Sequence, residues 1–181
     1  MYMNSKIKRI IDFSTAFGPS GMEDEVSSLA MEDVKDICEV HDDTMRNTYM
    51  HFKQDKEHET TILLDAHADE VGFIVQAIKP NGTIRFLPLG GWDPKNIVSG
   101  EVWILNDKGE KISGIVASQP VHFLSEEKRN GKVDFDDLVI DVGATSVQEV
   151  KEEFHISVGN FMCPAVTCKY DEAHKIFLGK A

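Results

Sequence analysis

Residues 60–72 read T-T-I-L-L-D-A-H-A-D-E-V-G, and the pattern of the chain changes at this stretch. Residues 60–66 form a continuous apolar run rather than an alternating one, which predicts a strand buried on both faces. Side chains two positions apart share one face of an extended backbone, so His67 and Asp69 are expected to lie together. This arrangement suits a metal-bound imidazole that a carboxylate orients, and a histidine packed in a core fits the same short motif.

The residues before this stretch predict two helices and a sheet. Apolar residues recur at three- and four-residue steps over residues 5–17, which predicts an amphipathic helix. Ser20 and Glu23 form an S-x-x-E capping box, which predicts that a second helix begins there. Residues 39–41 and 48–52 follow with strand-like texture. Two helices followed by a sheet with a doubly covered strand indicate the α/β class.

After Gly72 the texture is that of short strands at small spacing. Two strands flank a P-N-G turn, in which Gly82 supplies a positive φ. Further strands are predicted at residues 101–105, 111–118 and 138–142, and a capping box at Ser146 and Glu149 predicts a short helix. This part of the chain therefore predicts a compact barrel or sandwich as a second subdomain. Strand texture resumes in I-S-V-G-N (156–160), F-M-C-P-A-V-T-C-K-Y (161–170) and H-K-I-F-L-G (174–179), and these segments are expected to return to the first sheet.

Composition limits the kinds of partner that the chain can bind and indicates its cellular compartment. The 181 residues carry a formal net charge of −12, which argues against binding to nucleic acid or to a membrane surface, because both need clustered Lys and Arg. We expect no secretory signal and no membrane-spanning helix, since no apolar run is long enough. The three cysteines are an odd number without a C-x-x-C pair, which favours reduced thiols and a cytoplasmic location.

Five motifs in this order resemble a known family: G-P-S-G-M-E (18–23), A-H-A-D-E-V-G (66–72), R-F-L-P-L-G-G-W-D-P (85–94), I-D-V-G-A-T-S (140–146) and L-G-K-A (178–181). Together they resemble the cytoplasmic co-catalytic metallo-aminopeptidases, which include glutamyl, deblocking and tetrahedral aminopeptidases and some members labelled endoglucanase. The resemblance implies an α/β catalytic domain interrupted by a small inserted β-barrel domain that serves oligomer assembly. It also implies peptide substrates and two divalent metal ions, zinc or cobalt.

The resemblance assigns parts of this chain to those roles. Residues 1–71 with 160–181 correspond to an incomplete catalytic α/β domain, and residues 72–159 to the inserted β domain through which a homo-oligomer is expected. His67 resembles the family's histidine ligand to one metal. Asp69 is assigned to the catalytic site as the carboxylate that holds the imidazole and fixes its tautomer.

The same resemblance leaves the chain's own activity open. In the family, L-G-K-A leads into a metal-bridging aspartate, and further ligands and the general base lie downstream; none has a counterpart here. One imidazole is far short of the four ligands that zinc needs, so we expect the isolated chain to hold no metal tightly and to lack peptidase activity. The alternative is a non-catalytic assembly or interaction module. Trp92 in G-G-W-D-P is either an interface anchor or a partly buried turn residue.

Overall fold

The computed structural model describes residues 5–53, 60, 62–119, 121–123, 126 and 131–180. The chain divides into two compact units, Met1–Asp69 with Thr167–Ala181, and Glu70–Val166. The first unit combines helices with two-stranded hairpins, and the second contains a closed β-barrel, which confirms the predicted mixture of an α/β part and a β-barrel. In the described part of the chain, no helix is both long and apolar enough to cross a membrane.

Two helices open the first unit: α1 (Ser5–Thr15) and α2 (Asp24–Val34). Their amphipathic spacing predicted both, but the prediction that Ser20 caps α2 is wrong. Gly21 has a φ of +92°, which is not helical, so the chain makes a turn before the helix begins. Glu23 stands at the N-cap position, and its Oε1 accepts a hydrogen bond from the backbone N–H of Gly21 at 2.5 Å.

Two hairpins complete the regular structure among the described residues of this unit. The two strands that the sequence predicted here are present, and β1 (Cys38–Asp42) pairs antiparallel with β2 (Thr48–Phe52). The later strands β9 (Lys169–Asp171) and β10 (Ile176–Leu178) form the second hairpin. Two hydrogen bonds connect the end of α1 to the residues on either side of the second hairpin. Thr15 Oγ1 accepts from the Cys168 N–H at 3.1 Å, and the Ser14 hydroxyl donates to the Lys180 carbonyl.

The prediction of a buried strand at residues 60–66 is wrong for this structure. Among its described residues, 60 and 62–66, none is assigned to a strand. Ile62, Leu63 and Leu64 are 82%, 84% and 90% exposed. The apolar run has the composition of a core strand, but the described sheets of this unit are the two hairpins, and neither pairs with it. Because a strand forms only against a hydrogen-bonded neighbour, the described residues of the run form no strand and stay uncovered.

The second unit is a closed barrel in which every neighbouring pair of strands is antiparallel. The strands lie in the order β3-β4-β7-β6-β5-β8, and β8 closes the barrel against β3. The bounds of the first five strands along the chain agree with the sequence-based expectation to within one residue, and the hairpin around Pro80, Asn81 and Gly82 is confirmed. The strands are β3 (Gly72–Ile78), β4 (Ile84–Leu89), β5 (Glu101–Leu105), β6 (Lys111–Ser118), β7 (Leu138–Asp141) and β8 (Phe161–Pro164).

The expectation that residues 161–164 return to the first sheet is wrong. Met162 and Cys163 of β8 are fully buried, and Met162 lies opposite both Phe73 of β3 and Ile104 of β5. The two strands that would otherwise be open edges share β8 as their partner, so β8 removes both edges at once. The boundary of this unit therefore lies after Val166 rather than at residue 159.

Side chains from all six strands fill the barrel. Alternate residues of each strand point inward, as the two-residue period of a strand requires. The short helix α3 (Val147–Glu152) adds Val150, which has no exposed surface. The buried cluster consists of Phe73, Val75, Ile84, Phe86, Ile97, Val102, Ile104, Val116, Leu138, Ile140, Ala144, Val150, Ile156 and Met162.

The predicted capping box before α3 is confirmed. Ser146 Oγ accepts from the Glu149 N–H at 3.1 Å. Glu149 reaches back one residue further than expected, to Thr145, whose backbone N–H and hydroxyl donate to Oε2 at 2.8 and 3.0 Å. These donors favour the charged carboxylate and hold the pKa of Glu149 below its ordinary value.

Candidate metal centre

His67 and Asp69 lie together, on a stretch of the first unit without regular secondary structure. The imidazole Nδ1 is 2.9 Å from the backbone oxygen of Asp69 and 3.2 Å from its carboxylate Oδ1. Both neighbours are acceptors, so Nδ1 carries the hydrogen and shares it between them. In the neutral imidazole the other ring nitrogen, Nε2, then has a free lone pair, which is the tautomer that a metal-binding histidine needs.

The imidazole is open to its surroundings. The side chain of His67 is 80% exposed and that of Asp69 is 40% exposed. This exposure excludes the alternative that the sequence left open, a histidine packed in a core. The Asp69 contacts also restrict the ring, because rotation about either side-chain bond would break the Nδ1 hydrogen bond.

The described residues supply one imidazole and no complete ligand set. Within residues 5–53, 60, 62–119, 121–123, 126 and 131–180, no group of three or more His, Cys, Asp or Glu side chains is arranged to hold a metal ion. Zinc in proteins takes four ligands, or three plus a water at a catalytic site. The donor chemistry at His67 therefore fits one coordination position of a divalent ion, and the remaining positions need groups from elsewhere.

A glycine near α2 allows the chain to pass close to the His67 segment. A Cβ at Gly18 would lie 3.6 Å from the backbone oxygen of Ala68 and 2.7 Å from Cγ2 of Val26. Phe17, beside it, is 2% exposed. The loop before α2 thus packs against the backbone next to His67, and it does so where the sequence has the G-P-S-G-M-E motif. Spacing alone gave no sign of this contact.

The G-G-W-D-P loop belongs to the barrel's own packing. Trp92 stacks on Phe73 with ring centroids 4.7 Å apart, and its Nε1 donates to the Gly72 carbonyl at 3.0 Å. Gly90 has a φ of +86°, and a Cβ there would lie 2.7 Å from Val71 Cγ1. Of the two interpretations of Trp92, the structure supports the half-buried turn residue.

The sequence profile of M42 glutamyl aminopeptidase matches residues 47–181, about three quarters of the chain. The chain belongs to this family. The M42 match includes the His67 and Asp69 segment and the whole barrel.

Named relatives and solved structures agree with the M42 assignment. The lysyl aminopeptidase of Pyrococcus furiosus is 33% identical over 149 residues, which are 81% of this chain and 41% of that protein. The TET aminopeptidase from a marine sediment archaeon of the Thaumarchaeota has a TM-score of 0.86 at 33% identity and covers 94% of this chain. The Pyrococcus horikoshii TET1 peptidase, described as assembling into a tetrahedron or a large octahedral shell, has a TM-score of 0.78 at 27% identity and covers 93%.

The chain spans about half the length of these M42 relatives. It covers 41% of the lysyl aminopeptidase, 47% of the thaumarchaeal chain and 49% of the TET1 chain. The resemblance that the sequence motifs carried is therefore confirmed at the level of the family. The roles of His67 and Asp69 remain predictions, which the geometry at Nδ1 now makes specific.

Proposed function

We propose that this chain forms the amino-terminal part of a metal-dependent aminopeptidase that removes residues from the amino termini of peptides. In this proposal His67 binds one of two divalent ions, zinc or cobalt, through Nε2, and Asp69 holds the ring. The observation that carries the proposal is the pair of oxygens of Asp69 within 3.2 Å of Nδ1, on a chain of the M42 family.

The residues of this chain prepare a ligand for that chemistry. A pair of divalent ions acidifies a bound water and polarises the scissile carbonyl, which is the chemistry that peptide hydrolysis at neutral pH needs. Asp69 fixes the tautomer and orientation of His67, so that the ring loses little freedom when Nε2 binds. The negative charge of Asp69 also makes the imidazole a stronger donor to a cation.

We infer that the chain by itself lacks peptidase activity. The His67 site provides one imidazole where a zinc site takes four ligands, and no group of three or more His, Cys, Asp or Glu side chains among the described residues is arranged to hold a metal ion. The supporting comparison is that the M42 relatives are about twice as long as the matched region. In the proposal, the other ligands and the general base belong to the part of the relatives that this chain does not match.

A chimera tests the catalytic proposal. Residues 1–181 would replace the matching part of the Pyrococcus furiosus lysyl aminopeptidase, and hydrolysis of a panel of aminoacyl anilides would be measured with added cobalt or zinc. We expect activity from the chimera, none from the chain alone, and none from the chimera with His67→Ala.

His174 provides the matched control for that substitution. It is 73% exposed, and its Nδ1 contacts Asp171 at 2.7 Å, so it repeats the His67 geometry at a position to which we assign no ligand role. His174→Ala should leave the activity unchanged. A chimera that keeps its activity without His67 would refute the proposed ligand.

A non-catalytic assembly module is the second candidate. The observation that favours it is that the barrel is closed and has its own buried core, whereas the metal ligands are incomplete among the described residues. The TET1 relative is described as assembling into a tetrahedron or a large octahedral shell, which supports a homo-oligomer, and we propose that its contacts lie on the barrel. Light scattering on the purified chain, alone and mixed with a full-length relative, tests this function, and a monomer that binds neither itself nor the relative would exclude it.

The cytoplasmic location also remains a proposal. It is supported by the three cysteines, Cys38, Cys163 and Cys168, which are buried free thiols in the structure.

A further inference from the structure

The turn between β3 and β4 contains an Asn-Gly pair whose two members are placed very differently. Asn81 is exposed, whereas Gly82 is buried with a φ of +82°. The Gly82 N–H donates to the Lys79 carbonyl at 2.9 Å, which closes the turn. The Asn81 side-chain Oδ1 accepts from the Thr83 hydroxyl at 2.8 Å.

An asparagine followed by glycine can modify itself when the backbone is free to bend. The Gly82 nitrogen, after losing its proton to hydroxide or water, would attack the side-chain carbonyl carbon of Asn81. A new carbon–nitrogen bond forms, the bond from that carbon to Nδ2 breaks, and Nδ2 leaves as ammonia. Glycine has no Cβ to hinder the five-membered imide that results, and the reacting atoms are already neighbours in the chain.

Water then opens the imide at one of its two carbonyls. Cleavage at the former side-chain carbonyl gives an ordinary aspartate at position 81. Cleavage at the backbone carbonyl gives an isoaspartate, in which the main chain runs through the side-chain carbon and is one methylene longer. No oxidant, reductant or other partner is required.

The folded turn holds back the first step. The attacking nitrogen is buried, and its hydrogen is bonded to Lys79, so it can neither lose its proton easily nor turn toward the Asn81 side chain. The Asn81 side-chain amide is itself held by the hydrogen bond from the Thr83 hydroxyl. The reaction therefore needs an opening of the turn, and its rate in the folded chain is the unfolded rate multiplied by the fraction of time that the turn is open.

The two products differ in whether the barrel can close around them. A Cβ at Gly82 would lie 2.4 Å from the Ala144 carbonyl oxygen and 2.9 Å from the Ser146 nitrogen, so the turn has no room for added backbone. An aspartate at position 81 keeps the backbone length and an oxygen that Thr83 can donate to. An isoaspartate shifts Gly82 against the backbone of residues 144–146.

We propose that Asn81 is a conformationally gated self-modification site: it deamidates when the 79–83 turn opens, and its isoaspartyl product prevents the barrel from closing again. Because the Asn81 side chain is exposed and the Gly82 nitrogen is buried, modification of the site accumulates only when the turn opens. The modification is rare in a chain that stays folded, and it is not reversed once it has occurred.

The test compares the folded and the urea-unfolded chain during incubation at mildly alkaline pH. Peptide mapping that separates aspartyl from isoaspartyl products gives the rate at position 81 in each state. We expect a much slower reaction in the folded chain, and equal rates in the two states would overturn the gating. The second Asn-Gly pair of the sequence, residues 130–131, should react as fast as Asn81 in urea and reports that the chemistry proceeds.

Refolding of the chain after its incubation in urea tests the second part of the proposal, that the isoaspartyl product prevents the barrel from closing. The folded fraction, isolated by size exclusion from aggregated and unfolded chains, should contain the aspartyl product and be depleted of the isoaspartyl one, since both arise from the same imide in the same tube. An Asn81→Asp variant should fold as the unmodified chain does. Equal amounts of both products in the folded fraction would overturn the proposal.

A third experiment tests directly whether opening of the turn controls the reaction. Pro80→Ala relaxes the turn, because proline fixes φ, and a compatible proline contributes about 0.4–1 kcal/mol of stability. Asn81 in the folded Pro80→Ala variant should therefore deamidate about two- to fivefold faster, while the rate in urea stays the same. No acceleration in a variant with measurably lower stability would show that opening of this turn does not control the reaction.

Discussion

Replacement of Gly82 by alanine tests the packing of the barrel most directly. Gly82 has a φ of +82°, and an added Cβ would lie 2.4 and 2.6 Å from the carbonyl oxygen and carbon of Ala144. Both obstacles are backbone atoms, which cannot move aside as the end of a side chain can. Gly109 is the matched control, because its φ is +76° and a Cβ there would meet nothing within 4 Å.

The two variants separate the conformational cost from the steric one. A left-handed backbone costs an alanine about 1–2 kcal/mol, and this cost applies to both. Overpacking adds about 1–3 kcal/mol at Gly82 alone. Gly82→Ala should therefore lower the free energy of unfolding by about 2–5 kcal/mol, a large part of the roughly 5–15 kcal/mol that holds a typical domain folded.

Urea denaturation followed by tryptophan fluorescence measures this difference. Both tryptophans, Trp92 and Trp103, lie in the barrel unit, so their emission reports on that unit. The Gly82→Ala midpoint should lie roughly 0.5–1.5 M urea below that of Gly109→Ala, with unchanged slopes. Equal midpoints for the two variants would refute the close approach of Gly82 to residues 144–146.

Three further predictions concern the site, the acid stability and the exposed apolar run. In the chimera, Asp69→Ala should reduce metal affinity or activity roughly 10–100-fold, measured as activity against cobalt concentration, and an unchanged curve would contradict the orienting role. The pKa of Asp107 lies below its ordinary value, chiefly because the Ser157 hydroxyl donates to it, so its folded form stays ionised to lower pH than its unfolded form. The stabilisation that ionised Asp107 provides is present above the ordinary pKa of 3.8 and is lost as the pH falls through the folded pKa. The urea midpoint of Asp107→Asn should therefore fall less steeply between about pH 6 and about pH 3 than that of the unmodified chain. Combined Leu63→Ser and Leu64→Ser should change stability by less than about 0.5 kcal/mol and reduce self-association in sedimentation velocity, and a large loss of stability would show that the run is packed in solution.

The sequence predicted elements whose causes are local. The turn at Pro80, Asn81 and Gly82 is set by residue chemistry within five positions, and the capping of α3 by Ser146 is set within four. The proximity of His67 and Asp69 was also predicted, and the two residues are only two positions apart in the chain. Each of these needs no knowledge of what lies elsewhere in the chain.

Local sequence patterns could not predict which strands pair with one another. Residues 161–164 have ordinary strand texture, and only the barrel's closure decides that they lie between β3 and β5. The run at residues 62–64 has the composition of a buried strand, yet burial depends on a neighbour that no local pattern reveals. The packing of Gly18 against Ala68 escaped notice for the same reason, since it joins residues fifty positions apart.

The pairing of β3 with β8, which closes the barrel, determines how easily the barrel unit can be transferred between genes. Phe73 near the start of β3 lies opposite Met162 of β8, so the polypeptide enters and leaves the barrel at adjacent points, about 5 Å apart across an antiparallel pair. A module with neighbouring ends can be spliced into a surface loop of a host without stretching it. It can equally be excised and the host rejoined, which makes the barrel a cassette that recombination can exchange as one piece.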